Sequence, residues 1–87
     1  RNKNVFFQAP EFKARIIELP AGGSMPDCEM ESYVAFTVIQ GAATVSVNGE
    51  ETLLQTGQCL IIEPATLSMK TEDGVKMTGF QINKKSD

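Results

Sequence analysis

The chain has 87 residues, 41% of them hydrophobic, and a formal net charge of −3 with a pI near 4.9. That length suits one domain spanning residues 1–87, with a modest core. The acidic balance excludes the basic stripe that nucleic-acid binding needs, and no apolar run approaches the ~20 residues of a membrane helix.

Val5 to Gln8 reads as a short edge strand before Pro10, and Phe12 to Leu19 as a strand ended by Pro20. Ala21 to Pro26, with two glycines, a serine and a proline, reads as a loop. Asp27 to Glu31 is acidic and fits either an extended segment or a tight loop. Tyr33 to Gly49 holds two β-branched, alternating runs separated by Gly41 and closed by an Asn48-Gly49 turn. Val34, Phe36 and Val38 share one face; Tyr33, Ala35, Thr37 and Ile39 share the other. Glu50 to Gln55 pairs back as a strand, and Thr56-Gly57-Gln58 turns the chain. Cys59 to Glu63 is apolar enough for a buried strand, with Cys59 as inert core, and Pro64-Ala65-Thr66 breaks it. Leu67 to Thr71 alternates, Glu72-Asp73-Gly74 reads as a hairpin turn, and Val75 to Ile82 is the last strand, with Gly79 marking a bulge. The remaining residues are a frayed tail whose Lys84-Lys85 pair is solvated. Seven or eight short strands with no helix predict an all-β sandwich or barrel.

The two cysteines, Cys28 and Cys59, make no disulfide-dense framework, and no signal-peptide pattern opens the sequence. A reduced, cytoplasmic setting is the expectation. There is no histidine, so the usual general base near neutral pH and the commonest metal ligand are missing.

From Arg15 to Ile82 the ordered pieces resemble a small single-domain cupin. They are Leu19-Pro20-Ala21-Gly22-Gly23, Val38-Ile39-Gln40-Gly41, Val47-Asn48-Gly49-Glu50, Leu54 to Gly57, and Ile61 to Ala65. The resemblance implies a jelly-roll β-barrel of about eight short antiparallel strands. The first cupin motif carries a histidine pair, then a glutamate, then six residues and a glycine. With Gly41 as that glycine, Val34 stands for the glutamate. The histidine pair then falls on Cys28 and Met30, or on Asp27 and Glu29 at a spacing one longer. In the second motif Met69 takes the histidine position after Pro64-Ala65-Thr66. All four family ligands are therefore replaced, and a thioether is a poor ligand for hard divalent metals. The metal chemistry of the family is not expected, and metal-free epimerase chemistry lacks its histidine base.

The expected pocket lining is Cys28, Met30, Val34, Phe36, Val38, Leu67, Met69 and Met77, with Leu60 or Ile62 beside them. No catalytic residue, metal ligand or cofactor is assigned. Sulfurs at Cys28, Met30 and Met69 offer a soft-metal alternative, against the plainer reading that methionines fill irregular space. Asp27, Glu29 and Glu31 share one parity, opposite to Cys28 and Met30, and read as a solvated rim rather than acid–base machinery. Tyr33 reads as an outer-face or interface residue, and Lys70 and Lys76 as outward charges. The function expected is a non-catalytic module that binds a small molecule in the barrel or dimerises, the assembly being a homodimer. The alternatives are an enzyme, using the soft metal or a metal-free acid–base pair, and a sensing domain of a larger regulator.

Overall fold

The computed structural model describes residues 5–83. Eight strands follow in chain order: β1 (Val5–Gln8), β2 (Phe12–Leu19), β3 (Ser24–Met30), β4 (Tyr33–Val47), β5 (Glu50–Gln55), β6 (Cys59–Ile62), β7 (Ala65–Lys70) and β8 (Val75–Ile82). Every pairing is antiparallel. One sheet runs β1-β2-β8 to the first half of β4, whose other edge carries β6. The second sheet runs β3-β7 to the second half of β4, whose other edge carries β5. Among the described residues no helix is long and apolar enough to cross a membrane.

Gly41 does not end a strand, as its position between two alternating runs suggests. It bends one strand of 15 residues out of the first sheet and into the second. The ladder with β8 shifts between Val38 and Gln40, and Gly41 follows with φ +89°. The β5–β6 turn takes up the polar groups freed there. The Gly57 N–H donates to the Val38 carbonyl (2.9 Å) and the Val38 N–H to the Gln58 carbonyl (3.1 Å). The Thr56 hydroxyl donates to the Gly41 carbonyl at 3.0 Å. A Cβ at Gly41 would overlap the Gly74 carbonyl oxygen, so two segments cross at backbone distance.

Glu72-Asp73-Gly74 is likewise not a hairpin turn. β7 lies in one sheet and β8 in the other, and the segment carries the chain between them. Buried Thr71 pins the crossing: its hydroxyl donates to the Ala42 carbonyl (2.6 Å) and accepts the Gly74 N–H (3.0 Å). Asn48 (φ 51°) and Gly49 (φ 88°) form the primed turn that a two-residue hairpin needs. The Asn48 side-chain oxygen also accepts the Thr66 N–H at 3.0 Å, docking the hairpin tip on the start of β7.

Three further expectations are corrected. Ser24–Pro26 belongs to β3 despite its proline, because Pro26 falls where the register with β7 shifts and the missing N–H breaks no ladder bond. Gly79 marks no bulge, since its register with β2 and β4 is regular. β6 is not buried on both faces: Cys59 is exposed and Ile61 is 71% exposed, while Ile62 is in the core. Its side chains alternate across a sheet edge, so only every second one points inward.

Gly41 and Gly49 share nearly the same φ, but only Gly41 meets another segment where a Cβ would stand. Gly49→Ala is expected to cost about 1 kcal/mol for the left-handed backbone alone. Gly41→Ala should cost about 3 kcal/mol or more, because overlap adds to the backbone term. Urea unfolding of the two variants checks this; equal losses would show that the crossing does not require the glycine.

Candidate functional site

Inward side chains stack in rows set by strand register. Along the first sheet one row is Arg15, Gly79, Phe36 and Leu60, and the next inward row is Ile17, Met77 and Val38. Across the barrel, Met25 pairs with Met69 and Cys28 with Leu67. Between the two sheets lies a cavity of about 200 Å³. β2 contributes Arg15 and Ile17 to its wall, and β3 contributes Met25, Cys28 and Met30. Val34 and Phe36 come from β4, Leu67, Ser68 and Met69 from β7, and Gly79 and Gln81 from β8.

One inward position bordering the cavity carries no side chain of its own. Gly79 lies between Arg15 and Phe36 in its row and presents no side chain. A Cβ there would stand 3.0 Å from Ile17 Cδ1 and 3.4 Å from Phe36 Cε1, so the two side chains close over bare backbone.

Val38 and Met77 were expected on the pocket wall and are not there. They pair with each other in the row beyond Phe36 and are 1% and 0% exposed, filling the core. They share the parity of Val34 and Phe36 but not their depth. Ile62 is also core, and Leu60 packs against the core without lining the cavity. Cys28 is exposed and Met30 half-buried, which puts them at the mouth; the Cys28 Sγ lies 3.7 Å from the Met30 Sδ. Asp27, Glu29 and Glu31 are exposed and do not line this cavity. Lys70 is exposed and pairs with Glu51 at 3.4 Å, a surface ion pair of small energetic weight.

Six cavity residues lie outside the expected lining: Arg15, Ile17, Met25, Ser68, Gly79 and Gln81. Arg15 is half-buried, and its Nη2 donates to the Gln81 Oε1 at 2.8 Å. These residues are 66 positions apart, so no local pattern joins them. The available signal was parity: Arg15 shares the face of Ile17, two residues on.

The residues at the family's ligand positions do not fit its divalent ions. Val34 has no donor atom, and Met30 and Met69 offer only thioethers. Among the described residues no three His, Cys, Asp or Glu side chains gather in a metal-binding group. A larger concavity of about 680 Å³ is bounded by Gly22, Gly41, Ala42, Lys70, Thr71 and Asp73. The Thr71 hydroxyl and the Gly22 N–H there already bond within the protein.

No family model matches the chain, and no curated protein matches it. Solved structures do match. The cupin domain of Cnp3 from Schizosaccharomyces pombe superposes with a TM-score of 0.85 at 22% identity, over 92% of this chain and 62% of that one. A cupin superfamily protein from Desulfitobacterium hafniense gives 0.82 at 15% identity, over 97% and 82%. A salicylate 1,2-dioxygenase from Pseudaminobacter salicylatoxidans gives 0.78 at 24% identity, over 84% of this chain but 21% of that one. The chain therefore has the cupin fold, and it carries that fold with no histidine.

Both cysteines are unpaired and exposed. Ellman's reagent is expected to titrate two thiols per folded chain without denaturant, and one in Cys59→Ser. A single reactive thiol in the native wild type would return Cys59 to the core.

Proposed function

We propose that this cupin-fold barrel is a non-catalytic module that holds a small molecule between its two sheets. The cavity carries the reading. Its volume of about 200 Å³ exceeds the ~150 Å³ at which an apolar protein cavity accepts benzene. It is walled chiefly by aliphatic, aromatic and thioether groups and opens beside Cys28 and Met30. Methionine walls adapt to ligands of different shape. No carboxylate lines the cavity, so acid–base catalysis has no pair of groups to work with. The soft-metal alternative has four sulfurs nearby, from Met25, Cys28, Met30 and Met69, but it places a cation beside the Arg15 guanidinium. That repulsion ranks it below neutral or anionic ligands. The two free thiols support a reducing, cytoplasmic setting.

A separate observation supports self-association. On the outer face of the first sheet, register aligns Phe7, Ala14, Phe80, Ala35 and Ile61 in one row and Phe12, Ile82 and Tyr33 in the next. Phe7 stacks on Phe12 with ring centroids 5.3 Å apart, and Phe12 lies 6.2 Å from Phe80. Phe7, Tyr33, Ile61 and Ile82 are exposed, making a contiguous apolar surface of the kind that marks an interface. A second copy suits it, because a face flattened by Ala14 and Ala35 can pack sheet on sheet.

Saturation-transfer NMR with toluene as probe is expected to detect binding to the wild type. Met30→Trp, which fills the mouth from a half-buried position, should abolish the signal while a cooperative melting transition shows that the variant is folded. Undiminished transfer in the variant would put the binding elsewhere. Sedimentation equilibrium should give the mass of two 9.5 kDa chains for the wild type. It should give one for Tyr33→Lys combined with Ile61→Lys, and a monomeric wild type at high micromolar concentration would remove the second reading.

A further inference from the structure

We infer that the cavity selects a small monocarboxylate with a compact apolar body, its carboxylate held by Arg15 and its body by the hydrophobic wall. The inference rests on the small-molecule reading above and names the chemistry of the ligand.

Charge is the first ground. Among the twelve residues that line the cavity, Arg15 alone carries a formal charge; none is Asp, Glu or Lys. Among the described residues no carboxylate pairs with it, and the ion pair present joins Lys70 to Glu51 elsewhere. The side chain that accepts from Arg15 is the neutral Gln81 amide. A neutral acceptor orients the guanidinium and leaves its charge in place, whereas a glutamate there would cancel it.

Donor geometry is the second ground. Guanidinium has five N–H donors in a planar fork, and the bond to Gln81 engages one nitrogen. No buried side-chain nitrogen or oxygen among the described residues lacks a partner, so the other arginine nitrogens face space that solvent or ligand can reach. Because the Gln81 Oε1 accepts from Arg15, the same amide's NH₂ is left as a donor on the cavity wall. The fork of an arginine matches the two oxygens of a carboxylate.

Space is the third ground. Arg15 lies opposite Gly79 in the sheet, and the cavity wall continues from there to Phe36, Leu67 and Met69. The volume admits one six-membered ring or a short branched chain beyond the carboxylate. A second acid group on the ligand has no second cation to meet. The ligand class is therefore a monoacid.

Isothermal titration of the intact protein compares benzoate with its neutral isostere benzamide. Benzoate is expected to bind on the order of 10- to 100-fold more tightly, the range of a charge-assisted hydrogen bond to carboxylate. Arg15→Gln should bring the two ligands level. Gln81→Glu keeps the arginine but supplies an internal carboxylate, and it should also abolish the preference, which guards against a misfolded Arg15 variant. If benzamide matches benzoate in the wild type, the carboxylate assignment is overturned while the small-molecule reading stands. If neither compound nor toluene binds, both fall.

Discussion

The backbone crossing of Gly41 on Gly74 is the constraint from which the barrel follows. A strand of 15 residues cannot serve two sheets unless it bends sharply, and a bend leaves backbone polar groups without ladder partners. Here the β5–β6 turn supplies them, through Gly57, Gln58 and the Thr56 hydroxyl. Thr71 ties the second crossing strand to Ala42 from the other side. Unpaired buried amides or carbonyls at such a corner would each cost about 1–3 kcal/mol, so the corner and the turns that serve it form or fail together.

The cavity is a consequence of that bend. The first half of β4 presents Val34 and Phe36 from one sheet, while the second half carries Val45, paired to Met69, in the other. Deep in the barrel, Val38, Val45 and Met77 are essentially inaccessible and fill the space between the sheets. Nearer the mouth, Ile17 and Phe36 close over the bare backbone of Gly79, and the cavity lies beside them. Natural cores rarely leave such space, because voids forfeit dispersion contacts. The half-buried Arg15 lies on the wall of this opening.

Much of the fold was legible in the sequence and part of the site was not. Alternation along Tyr33 to Val38, the Asn48-Gly49 pair and the spacing of turn residues sufficed for an all-β barrel, because period-two patterning and positive φ are local properties. Gly41 misled, because a glycine between two alternating runs looks the same whether the chain turns back or bends onward. Glu72-Asp73-Gly74 misled for the same reason: turn chemistry fixes conformation, not the sheet that the next strand joins. Val38 and Met77 show the limit of parity, which gives the side of a strand and not the depth along the barrel. Cys59 and Ile61 show the limit of hydrophobicity, since an apolar outer face reads like a core strand until its neighbours are known. Arg15 and Gln81 meet only after the register of β2 and β8 is set, and one sequence does not contain that register.

The absence of histidine changes what the barrel can hold and over what pH range. In the metal-bearing cupins that the sequence resembles, the positive charge in the barrel arrives with an ion held by imidazoles. Such a charge depends on the ion and on the protonation of its ligands. In this chain the positive charge on the cavity wall belongs to the protein itself, on the Arg15 guanidinium. A guanidinium presents a planar fork of N–H donors rather than an open coordination position. No imidazole stands at the positions of the family's ligands, and a half-buried arginine lies on the wall of the same cavity.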